Sequence, residues 1–580
     1  MGGMPQLTQQ QQAAIQAMNQ ASAPQDQAVT EARNALNAAI YTEKPDAGDI
    51  EAKADKLAAA ELARALARAE AFAKLQASPN KLNLPAQSLM ILMNMGGRGG
   101  PGGFGGTGFP PGGPGGPDGN KAPPAEGGFE TSFVSPLFGD NMVLQRGKPN
   151  TIWGWAKPGE EIRVRIAQNT VKTMSKDDGR WSVVIQPPAP GGPYTVIIDG
   201  PQHVEFHEVL VGDVWLCGGQ SNMEMGLGQA RNGNEEVKAA DHPRIRLFVV
   251  KQTARKPAAV PQGSWKICSP QNVGEGWSGF SAVAYFFGRR LQQDLDVPIG
   301  LVEDCVGGTP AEAWTSAQTL RSLGMSDTGG GPNTPSVLYN GMIAPVAPLA
   351  ISGAIWYQGE SNTDRAAQYR KLLSAMISDW RRAFGQGDFP FYIVSLAAHK
   401  QHKDAPGDDS WAELRAAQDF VANTVTNSGL AVAIDVGDAR DVHPKDKKEV
   451  SERLALIALA KYYGKNIPYS GPRFASAEKI SGALKLSFTR TDGGLVVKGD
   501  KLEEFSICGE DCKWHWADAK VVGDTVVVSS SEVPNPLAAR YAWQANPIAT
   551  LFNGAGLPAI PFRTDDLGGT NDNQKLAGKQ

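Results

Sequence analysis

The sequence predicts an α/β protein. Its centre is a three-layer α/β/α domain on a parallel sheet, flanked by two small β-sandwich-like domains and preceded by a helical segment. Three observations predict this. Between about 211 and 468, apolar strands alternate with amphipathic helices, the pattern of a parallel sheet covered on both faces. On either side, short strands are punctuated by turn signals. Residues 1–94 are rich in Ala, Gln, Leu and Lys and poor in β-branched residues, a composition that favours helix.

In chain order, Pro24, Pro45 and the Ser78-Pro79-Asn80 break divide the helical segment 1–94 into pieces. Residues 95–128 are dominated by Gly and Pro. They cannot bury enough apolar surface to offset ordering entropy, so a disordered linker is expected there. The first β-domain, 129–210, carries TIWGW, EIRVRI, WSVVI and YTVII, separated by Lys157-Pro158-Gly159 and Asp178-Gly179. In the central domain, 211–468, strands are predicted at 214–217, 298–306, 354–357, 389–396 and 430–436, with helices near 281–294, 366–384, 410–424 and 446–463. The second β-domain, 469–566, carries ALKLSF, GLVVKG, TVVVSS and ARYAWQ, and a polar tail, 567–580, ends the chain.

A chain of 580 residues exceeds one domain, and with 41% hydrophobic residues it can bury a sizeable core. A net charge of −4 without a basic stripe argues against nucleic acid as a partner. The seven histidines are scattered, and no metal and no cofactor is expected. No membrane span is expected, the best apolar run, Ser88 to Met93, being far too short. Five cysteines are not a disulfide framework. Cys508 and Cys512 could form a local bridge in an exported protein or be two ordinary thiols, and Cys217 and Cys305 read as small core residues at strand ends. The start, MGGMPQ, lacks a signal-peptide pattern, so the protein either stays inside the cell or has lost a leader.

Open parallel sheets bind ligands beyond the carboxyl ends of their strands, so the loops there hold the candidate chemistry. The first is Cys217-Gly218-Gly219-Gln220-Ser221-Asn222-Met223, where two glycines allow a sharp turn and Ser221 can sit at a helix start. It is not the G-x-S-x-G elbow, since Met223 replaces the second glycine. The second is Val306-Gly307-Gly308-Thr309-Pro310, in which Gly308 can present an N–H to the same centre. The third, Gln358-Gly359-Glu360-Ser361-Asn362, offers amide donors for an oxyanion or a sugar hydroxyl. The last, 435–444, brings His443 to the same rim. A serine hydroxyl needs a base to act as a nucleophile, and His443 can supply one.

GQSNM, GGTPAEAW, WYQGESN and DVHP together resemble the four blocks of the SGNH hydrolase superfamily, in particular the sialate O-acetylesterase-like carbohydrate esterases. The flanking LFGDNMVLQRGKPNTIWGWAKPGE and the closing LFNGAGLPAIPFRTD share the resemblance, which spans roughly 130–566. It implies an SGNH-type α/β/α fold, Ser221 as nucleophile and His443 as base. It further implies oxyanion donors from the N–H groups of Ser221 and Gly308 and from a third-block side chain, Gln358 first and Asn362 second. Where many related hydrolases have Asp three residues before the histidine, this chain has Arg440. Asp441 is therefore the first choice for the third member, Asp438 the second, and a Ser–His dyad stays open. At the N-terminus, Leu7-Thr8-Gln9-Gln10-Gln11 resembles the LTxxQ motif of small periplasmic helical proteins, and the segment can equally be a spacer or an assembly element.

The expected activity is hydrolysis of O-acetyl esters on carbohydrates through an acetyl-serine intermediate. Gln220, Asn222, Glu360, Asn362 and Arg440 are the expected substrate contacts, with Arg440 available to a sugar carboxylate. The alternatives are an acetylxylan-type polysaccharide esterase and, in another class, a non-catalytic carbohydrate-binding protein. Export to the periplasm or the extracellular space is expected, because such substrates lie there.

Overall fold

The computed structural model describes residues 132–565, apart from 252–261, 275 and 326–332, together with scattered positions between 24 and 70. The chain divides into two units, 1–123 and 124–580. In the first, the described residues are helical except Asp46, and Val29 and Ala39 are buried. The Gly/Pro-rich stretch 95–128 and the tail 567–580 lie outside the described residues.

The second unit is organised by one long strand, His203–Gly219. Its residues 203–208 are exposed or half-buried, and its first half pairs antiparallel with Gly191–Asp199 in the N-terminal β-region. From Val209 onward every residue is buried, and from Asp213 the strand is the middle of the parallel sheet. The sheet order is Ser428–Ala431, Phe391–Val394, Gly353–Tyr357, His203–Gly219, Ile299–Cys305, His242–Val249, Trp265–Cys268. All neighbours run parallel except the last pair. The expected boundary at 210/211 thus falls inside a continuous strand.

Apolar side chains leave this sheet on both faces, as a doubly covered parallel sheet requires. Trp215, Cys217, Ile299, Leu301 and Ile355 join a cluster with the helices Ala282–Leu295 and Lys447–Lys461. Leu216, Val302, Ala354, Trp356 and Ile393 join another with Ala366–Phe384 and Ser410–Thr424. Local sequence sets the helix starts. Ser281 accepts the Ala284 N–H, and Asp409 accepts those of Trp411 and Ala412, so each satisfies donors that a first turn leaves unpaired.

The second cluster runs without a break into both β-regions. The C-terminal one contains two four-stranded antiparallel sheets and a two-stranded one. All five cysteines are free, so Cys508 and Cys512 are not bridged; Cys508 is buried and Cys512 exposed. Among the described residues, no helix is long and apolar enough to cross a membrane.

Candidate active site

The four loops meet beyond the carboxyl ends of the strands. The strand His203–Gly219 ends on Gly219 at φ +149°, where a side chain would strike the Tyr357 carbonyl at 2.2 Å. The Gln220 N–H then donates to that same carbonyl, and Ser221 opens the short helix Ser221–Glu224. At the first helical position its N–H has no acceptor within the helix. The Val306 N–H donates to the Gly219 carbonyl, binding the second loop to the first.

Ser221 Oγ lies 2.9 Å from His443 Nε2. Asp441 Oδ1 accepts the His443 backbone N–H at 2.9 Å and stands 3.4 Å from its Nδ1. Asp438 has a different task. Its Oδ1 accepts the N–H groups of Arg440 and Asp441, closing the turn before the histidine. Burial holds the His443 imidazole below its ordinary pKa; Asp441 opposes this, while Lys447 and His399 add to it. The base is therefore neutral, and able to take a proton, at pH 7.

Gly307 and Gly308 divide the labour of their loop. The Gly307 N–H is bonded to the Glu224 carboxylate, and a side chain at Gly307 would press on Glu224 Oε2 at 2.7 Å and Ser221 Cβ at 3.4 Å. Gly308, at φ +70°, borders open space.

Several of the expected contacts are engaged within the protein. Gln358 is fully buried, and both hydrogens of its amide are engaged, with the Thr309 carbonyl and Asn362 Oδ1, so it has no donor left for an oxyanion. Asn362 donates one amide hydrogen to Glu312, and its Oδ1 accepts the Ala311 N–H and the Gln358 amide. Gln220 Oε1 accepts the N–H groups of Gly359 and Ser361 at 3.3 and 3.4 Å. Asn222 donates to Glu360 Oε1 and to the Val442 carbonyl. Gln220, Asn222 and Asn362 are buried, and these residues, with Glu360, tie the loops to one another. Arg440 is exposed on the histidine loop.

Two residues go unnoticed in the sequence. Trp277, in the glycine-flanked stretch GEGWSGF, is 40% exposed and sets its ring edge-on to His443 with centroids 4.9 Å apart. A large aromatic between glycines was the available signal. Lys447, at the first helical position after the histidine loop, is fully buried and donates to Asn222 Oδ1. Among the described residues, no group of three or more His, Cys, Asp or Glu is arranged to hold a metal ion.

Residues 211–459 match the family model for carbohydrate esterases described as sialic acid-specific acetylesterase. The sialate O-acetylesterase of Homo sapiens is 34% identical over 478 residues, covering 73% of this chain and 90% of that protein. That of Mus musculus is 32% identical over 504 residues, covering 73% and 92%. The crystal structure of a carbohydrate acetylesterase from Xanthomonas citri superposes with a TM-score of 0.70 at 39% identity, covering 75% of this chain and 99% of that one. With four motif loops gathered around one Ser–His pair and relatives matched over nearly their whole length, the chain belongs to the sialate O-acetylesterase family of carbohydrate esterases.

Proposed function

We propose that this chain hydrolyses O-acetyl esters on sugars by serine acyl transfer within an SGNH-type domain. The observation that carries the reading is the 2.9 Å contact between Ser221 Oγ and His443 Nε2 at the carboxyl ends of a parallel sheet, in a chain of this family. Ser221 attacks the acetyl carbonyl while His443 takes its proton. The N–H groups of Ser221 and Gly308 receive the oxyanion. His443 then protonates the departing sugar oxygen and activates the water that releases acetate. Asp441 is the third member, holding the imidazole tautomer from a largely exposed position.

The acetylated sugar lies against Trp277, the exposed ring beside the base, and Arg440 is the cation within the same loop cluster for a substrate that carries a carboxylate. Such a substrate suits an exported enzyme, periplasmic or extracellular. The N-terminal helical segment serves assembly, and equal molar mass per chain by light scattering with and without residues 1–128 would refute that role.

The test is acetate release from O-acetylated sialic acids, acetylated xylan and an aryl acetate, with wild type beside Ser221→Ala. Loss of release by several orders of magnitude in the variant is expected. Near-wild-type release would remove Ser221 from the mechanism. Binding of the sugars by the wild type without any release would favour a carbohydrate-binding protein.

A further inference from the structure

Lys447 breaks two rules at once. It is a cation in the first turn of the helix Lys447–Lys461, where the helix dipole disfavours positive charge, and it is fully buried. Such violations concentrate where function demands them.

Its contacts show what it touches. Nζ donates to Asn222 Oδ1, beside the nucleophile, and lies 5.1 Å from the centre of the Tyr357 ring, on the strand leading to the third loop. Because an ammonium can only donate, Asn222 must turn its oxygen toward Lys447 and its NH₂ away. That NH₂ meets Glu360 Oε1 at 2.6 Å and the Val442 carbonyl at 3.0 Å. One buried amide thus joins the nucleophile loop, the third loop and the residue immediately before His443.

We propose that Lys447 is a positioning residue for acyl transfer: through Asn222 it fixes the peptide before His443. This rests on the reading of Ser221 and His443 as nucleophile and base. The charged groups acting on Lys447 are Glu360 and Asp441, and those acting on His443 are Asp441, Lys447 and His399. Burial pushes Lys447 down to about 7, so its charge is present in the acid range where His443 titrates. A cation there disfavours imidazolium; removing it raises the pH at which the base is lost.

The experiment compares wild type with Lys447→Met on an aryl acetate across pH 4–9. A fall in kcat of about tenfold with little change in KM is expected, and the acid limb of kcat/KM should move upward by roughly half a unit. A limb that stays in place overturns the proposal whatever happens to kcat, because a merely structural lysine would leave it unmoved. If Lys447→Met does not fold, Asn222→Ala carries the test with Lys447 intact. Reduced kcat at constant KM is expected there, and unchanged kcat overturns the proposal. Ser221→Ala beside them separates the failures. Activity that survives it removes the nucleophile reading, whereas activity that dies in it but ignores the Lys447 change removes only the role given to Lys447.

Discussion

The loops that carry Ser221 and His443 meet at one hydrogen bond but are held in opposite ways. Ser221 follows a fully buried strand end, and its neighbours are bound to the Tyr357 carbonyl, to Val306 and to the third loop through Gln220. His443 follows an exposed stretch, 437–441, shaped chiefly by its own turn, with Asp438 accepting two N–H groups of that turn. From outside the turn, the Asn222 amide reaches the Val442 carbonyl and the Asp438 N–H donates to the Ala398 carbonyl. Core packing fixes the nucleophile, while local turn chemistry and a few long-range bonds fix the base. Changes to the packing that holds the first loop should therefore act largely through folding, and changes to the turn that holds the second through turnover.

The largest effect should come from His443→Ala, which is expected to cut kcat by about 10³-fold or more with the thermal midpoint nearly unchanged. A collapse of the fold instead would erase the contrast. Next, Asp441→Asn should slow turnover by tenfold or more, and Asp438→Asn by less, because only Asp441 faces the imidazole. Steady-state kinetics in the reverse order would move the third role to Asp438. Trp277→Ala should raise KM several-fold for an acetylated sugar while sparing a small aryl acetate, and equal effects on both would remove Trp277 as a sugar platform.

The smallest effect tests the buried side. Glu303 accepts the Ser281 N–H, and Ser281 Oγ in turn donates to the Met223 carbonyl in the nucleophile helix. Burial pushes the Glu303 carboxyl up to about 7. The folded state therefore holds this proton more tightly than the unfolded one. Its contribution to stability is fully present below the unfolded value near 4.5 and is lost as pH rises through 7. Thermal melts at pH 6 and 8 should show a fall of a few degrees that Glu303→Gln blunts. An undiminished fall would show that Glu303 does not carry it.

Much of this arrangement is legible in the sequence because periodicity and loop chemistry are local. The helix Ala366–Phe384 matches its expected 366–384, and Ser410–Thr424 matches 410–424. The strand His242–Val249 escapes notice, since Arg246 interrupts its apolar run. That guanidinium is nonetheless buried, bonded to the carbonyls of Pro243, Asn141 and Glu208. The apparent boundary at 210 lies just past Glu208, where one strand changes from exposed or half-buried to wholly buried, which alters its pattern without ending it. Asn222, Glu360 and Asn362 look like sugar ligands because groups that bond sugars bond one another equally well, and only distances distinguish the two. Lys447 reads as a surface lysine until its neighbours are known.

The strand His203–Gly219 also bears on modularity. Accessory domains are commonly shuffled between enzymes by cutting at a seam, but here the backbone crosses from one lobe to the other in mid-strand. Arg146 and Gln145 of the first lobe bond Asp213 on the far side of the crossing. A cut at residue 211 would strip the parallel sheet's middle strand of its continuation and leave the buried Asp213 without its cation. The esterase and its N-terminal β-lobe are therefore inherited or engineered as one block.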